Sequence, residues 1–115
     1  MEDEGGEADA RALLDALAAA YEALIARHAP DAGERARLLA VADDLRWYAE
    51  RLGPSRWNVV PRPEKWSFAR HVEHVAMQAA AEALAPAPAP VRYFIDHGKE
   101  HIGQAAELVF LVGGK

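Results

Sequence analysis

Residues 34–52, ERARLLAVADDLRWYAERL, place Leu38, Val41, Leu45, Tyr48 and Leu52 at alternating steps of three and four. That spacing keeps five apolar side chains on one face of a helix through about four turns and leaves the charged residues on the other. Gly53-Pro54 stops the run, because a Gly past the last turn followed by Pro cannot continue a helix. Upstream, Leu13, Leu14, Leu17, Tyr21, Leu24 and Ile25 repeat the pattern over residues 8–28, and Pro30-Asp31-Ala32-Gly33 ends it. Downstream, residues 55–65 carry Trp57, Val59, Val60, Pro61 and Pro63, which disfavours helix and predicts an extended, packed connector. Ser67 then directly precedes an apolar-periodic run and predicts an N-cap. The third helix is expected over 68–85, with Phe68, Val72, Val75, Ala76 and Ala79 as its stripe.

Ala85-Pro86-Ala87-Pro88-Ala89-Pro90 reads as a stiff bridge that reverses the chain. A fourth helix over 91–112 puts Val91, Phe94, Ile95, Ile102, Ala106 and Val109 on one side and Arg92, Asp96, Lys99, Glu100 and Glu107 on the other, and Gly113-Gly114 terminates it. Short connections favour antiparallel neighbours, so the expected fold is all-α, an up-down four-helix bundle.

Composition narrows the function classes. The chain has 115 residues and a formal charge of −5, and 26 residues are Ala, the best helix former. One domain over 8–112 is expected, with residues 1–7, MEDEGGE, as a disordered acidic tail rather than a targeting segment. Net negative charge without a basic stripe argues against nucleic acid as a partner. No run approaches a membrane span, so the expected compartment is the cytoplasm. With no Cys, any metal must be held by nitrogen and oxygen.

His97 and His101 lie four apart on the fourth helix and project from one face, a spacing that lets two imidazoles reach one ion. Interfacial or capping histidines are the alternative reading of such a pair. Measured from the bridge at 1.5 Å per residue, His74 sits at about 16 Å, His101 at about 15 Å and His97 at about 9 Å, whereas His71 falls at about 21 Å, too low to join. His74 makes the third candidate metal ligand, although its position beside Arg70, His71 and Gln78 turns it away from the apolar stripe. It can serve only where the third helix is covered on both sides or the site opens at the bundle surface. Three neutral imidazoles with a position left for water form a catalytic-type site for a divalent ion.

The stretch PRPEKWSFARHVEHV, residues 61–75, resembles the signature of the DinB-like (DinB/YfiT) superfamily: a Trp-Ser pair followed, seven positions after the Ser, by His and an aliphatic residue. HGKEHIGQ, residues 97–104, is similar to that family's closing helix, where two His four apart are followed by Gln. The resemblance covers residues 38–108. It implies a four-helix bundle, often dimeric, with His74, His97 and His101 holding a divalent metal such as zinc or nickel. It further implies a small-molecule substrate and thiol-dependent transferase or isomerase chemistry with a low-molecular-weight thiol, or metal-dependent hydrolysis. Without Cys, the thiol must come from outside the chain. Two departures stand out. Family members usually carry a further helix between the first His and the closing pair, a place that residues 8–28 or a second subunit would fill. Gly98 stands where many members have Asp. The rival expectation is a non-catalytic, dimerising stress or accessory bundle with a vestigial His cluster, its interface along the Ala-rich third helix.

The remaining candidates have structural readings. Trp57 and Trp66 are expected to plug a bundle end. His28 is expected to cap the first helix through the dipole. Glu73 and Asp96 diverge by about 100° from their His neighbours and read as surface charge. Tyr48 belongs to the core stripe of its helix, and Tyr93 could bring a hydroxyl near the site.

Overall fold

The computed structural model describes residues 9–86 and 89–112. Four α-helices are present and no strands among the described residues: α1 (Ala10–His28), α2 (Ala32–Leu52), α3 (Phe68–Ala83) and α4 (Val91–Leu111). The acidic tail, the centre of the Pro-Ala bridge and the Gly113-Gly114 stop lie outside the described residues. No described helix is long and apolar enough to cross a membrane.

Local chemistry sets the helix ends. Asp9 and Asp31 cap α1 and α2 by accepting from the Arg11 and Glu34 amides at 2.9 and 2.8 Å. Pro30-Asp31-Ala32-Gly33, expected to be a breaker, is therefore mostly a helix start: Asp31 is the cap, and Ala32 and Gly33 already lie in the first turn of α2. Ser67 caps α3 as expected, its Oγ accepting from the Arg70 amide at 3.2 Å. The end of α1 is closed by left-handed Ala29 (φ 48°), whose amide donates to the Ile25 carbonyl at 2.8 Å. His28 stands in the last turn of α1 as expected, half-buried, its Nε2 without a hydrogen-bond partner among the described residues.

The helices run alternately up and down, yet chain order is not spatial order. Arg27 near the end of α1 donates to the Ala83 carbonyl at the end of α3 (2.8 Å), so these two helices lie parallel. α1 packs chiefly on α3 and α2 chiefly on α4, which leaves α2 and α3 across the bundle from each other. The connector 53–67 spans that diagonal. It is a 3-10 turn at Pro54–Arg56 followed by bends and turns, not an extended segment. Trp57 plugs the end as expected: it is buried, and its Nε1 donates to the Ala49 carbonyl at 2.8 Å. Val59 and Val60 stay exposed, contrary to the packed reading, because Trp57 already fills the space beneath the connector.

Each helix contributes to one core, including Leu14, Leu17, Tyr21 and Leu24 from α1 and Leu38, Val41, Leu45 and Leu52 from α2. On α3 all five expected stripe residues are buried, and on α4 the buried line runs through Phe94, Gly98, His101, Ala105 and Leu108. Ile102, Ala106 and Val109 sit at its half-buried margin. His101 lies inside the buried arc with Phe94 and Leu108, and His97 sits half-buried at its margin, as the helical spacing predicts.

Candidate metal centre

α3 and α4 are direct neighbours, and the site lies along their seam. His74, His97 and His101 each offer one ring nitrogen, and these three atoms lie within 4.8 Å of one another. The rings themselves are close: 5.2 Å between centroids for His74 and His97, 5.2 Å for His74 and His101, and 4.7 Å for His97 and His101. His74 is exposed, His97 half-buried and His101 buried, so the cluster opens at the bundle surface. The outward position of His74 on the α3 wheel is thus compatible with its meeting the other two.

The donor set, three imidazole nitrogens, could hold a metal ion. Nitrogens held at about 2.0–2.1 Å from a tetrahedral ion stand about 3.3 Å apart, so the observed spread closes with small side-chain rotations. His74, being exposed, is freest to make them. No carboxylate joins the three in a ligating group among the described residues. Glu73 and Asp96 are exposed, as expected of surface charge.

A fourth imidazole is present that the height argument placed too low. His71 is only 4% exposed, and its Nδ1 lies 2.7 Å from the Nδ1 of His101. α3 ends at Ala83, two residues earlier than expected, which brings His71 to about 18 Å from the helix end against about 15 Å for His101. The signal was in the sequence: positions 68, 71, 72, 75, 76 and 79 form one continuous stripe at helical spacing, and His71 occupies a core place in it.

Trp66 is a wall of this cluster rather than a remote plug. Its ring centroid is 5.3 Å from those of His71 and His74, and it lies nearly parallel to His101 at 6.3 Å. The Arg70 guanidinium sits 4.5 Å from the Trp66 ring centre. A cleft of about 310 Å³ adjoins, lined by Glu64, Lys65, Trp66, His71, His101 and Gln104. Lys65 donates to Glu107 at 3.1 Å and ties the connector to α4 at the cleft's edge. On the other flank the Tyr93 ring stacks on His97 at 5.9 Å, and its hydroxyl accepts from Gln78 on α3 at 2.9 Å. Tyr93 thus backs a candidate ligand, while Tyr48 stays half-buried on α2 against Trp47.

Burial favours the neutral form of His71, His97 and His101. Burial, reinforced by His74, Lys65 and Arg70, lowers His71 to about 4. Burial and the neighbouring His71, His97 and His74 lower His101 to about 4. His97 is lowered by burial and by His74, with Glu100 opposing. A neutral imidazole is the form that ligates metal, so the lowered values of His97 and His101 are compatible with a cation there.

Gly98, between His97 and His101 in the chain, is buried, and a Cβ there would stand 2.5 Å from Val41 Cγ1. α4 approaches α2 so closely at that point that a side chain would force Val41 to shift. Comparison with family models, with curated proteins and with solved structures gives no match for this chain.

Proposed function

We propose that this protein is a divalent-metal enzyme of the DinB-like kind, with zinc or nickel held by His74, His97 and His101. The observation that carries the reading is the convergence of one imidazole from α3 and two from α4 within 4.8 Å at an open seam. The motif resemblance at residues 61–75 and 97–104 supports it independently of that geometry. Held by these three imidazoles, a bound ion would supply Lewis acidity that lowers the pKa of a water or thiol toward neutrality. The chain's own residues orient the site: Trp66 and Tyr93 pack on the imidazoles, and the cleft beside His101, lined by Trp66 and Gln104, has room for a small molecule. Because the chain has no Cys, the thiol in a transfer reaction is an external cosubstrate.

Elemental analysis of protein purified without a His tag tests the reading. Near-stoichiometric zinc or nickel, lost in His74→Ala with the helical circular dichroism retained, is the expected result. Absence of metal from the unsubstituted protein, even after incubation with zinc or nickel, leaves the non-catalytic bundle as the better description.

A further inference from the structure

Two buried nitrogens 2.7 Å apart cannot both carry a proton, nor can both present lone pairs without repulsion. Between His71 Nδ1 and His101 Nδ1 there is therefore one N–H, donated by one ring and accepted by the other. The two assignments have opposite chemical consequences. With the proton on His71, the His101 Nδ1 lone pair is consumed, and the ring of neutral His101 carries its own proton on Nε2. Neither of its nitrogens is then free to ligate. With the proton on His101, Nε2 is a free lone pair.

We propose that His71 is a positioning residue, accepting a hydrogen bond from His101 Nδ1–H and thereby committing His101 Nε2 to the metal. The inference rests on the metal reading above and adds a residue outside the three-ligand set. The surroundings favour a fixed arrangement. His71 and His101 are 4% and 8% exposed, and Trp66 packs against both rings. Ser67 anchors the turn beneath: its carbonyl accepts from the His71 amide at 3.2 Å while its hydroxyl caps the helix. A hydrogen-bond acceptor behind a ligating imidazole fixes its ring orientation and raises its basicity, and losing it costs about 10–100-fold in metal affinity.

Two measurements test this. In metal-free protein at pH 7.5, long-range ¹H–¹⁵N correlation is expected to show His101 as the Nδ1–H tautomer; the Nε2–H tautomer overturns the proposal. In titrations with zinc, His71→Phe, which keeps the ring's bulk without an acceptor, is expected to weaken binding about 10–100-fold. His71→Asn, whose amide oxygen falls near the place of Nδ1, is expected to recover most of that loss. Unchanged affinity in His71→Phe overturns the proposal. So does loss as complete as in His74→Ala without recovery by Asn, which makes His71 a ligand itself. Failure of the unsubstituted protein to take up zinc sinks the metal reading instead, and the tautomer measurement still decides the hydrogen bond's direction.

Discussion

Gly98 on α4 faces Val41 on α2 so closely that a Cβ would sit 2.5 Å from Val41 Cγ1. Both residues are buried, and valine's branched side chain cannot swing away. Gly98→Ala should therefore destabilise by about 1–2 kcal/mol, the overpacking cost exceeding the helix propensity that Ala adds. Urea denaturation of Gly98→Ala, Val41→Ala and the double variant checks it: the two changes should be less costly together than their sum.

Tyr21 lies on the other side of the same contact. Its hydroxyl is buried without a hydrogen-bond partner among the described residues, and burial pushes its ionisation well above the usual range. Tyr21→Phe removes an unsatisfied polar group from an otherwise apolar site. It should raise stability by about 1 kcal/mol, read as a higher melting temperature.

Ala29 adopts the left-handed conformation at φ 48° and ψ 53°, where its Cβ crowds the following carbonyl. Ala29→Gly relieves this at the cost of a more flexible unfolded chain. A net gain of about 0.5–1 kcal/mol is expected, measured by the shift in the urea midpoint at constant slope.

Acid should weaken the metal-free protein through its paired imidazoles. His71 and His101 sit at about 4 when folded, against about 6.5 for a free imidazole. Above pH 6.5 both states are neutral there, and stability is level. As pH falls from 6.5 to 4, the unfolded chain takes up protons that the folded protein refuses, so stability is lost across that window and levels off below it. Each pKa unit corresponds to about 1.4 kcal/mol. A combined loss of several kcal/mol is expected between pH 7 and 4. His71→Phe should halve the slope.

Metal should act in the opposite sense. A ligand that binds only the folded state at a hundred-fold excess over its Kd stabilises by about 2.7 kcal/mol, so zinc should raise the melting temperature by several degrees. A chelator should reverse the shift, and His97→Ala should abolish it.

The sequence by itself determined the four helices, since stripes at helical spacing, Ser67 as a cap and Gly53-Pro54 as a stop are local signals that act within a few residues. It also held the candidate ligands, because His97 and His101 share a face by spacing alone. What the tertiary structure decided is which faces meet. That α2 and α3 lie diagonally, that α4 closes on α2 at Gly98, and that Trp66 walls the histidines all depend on packing between distant segments. His71 marks the boundary between the two. Its place in the α3 stripe was readable, but its pairing with His101 depends on where α3 stops, and a shift of two residues moves an imidazole about 3 Å along the seam. Helix formation is governed by neighbours in the chain, whereas register between helices is governed by the summed fit of a whole core, which no single local signal encodes.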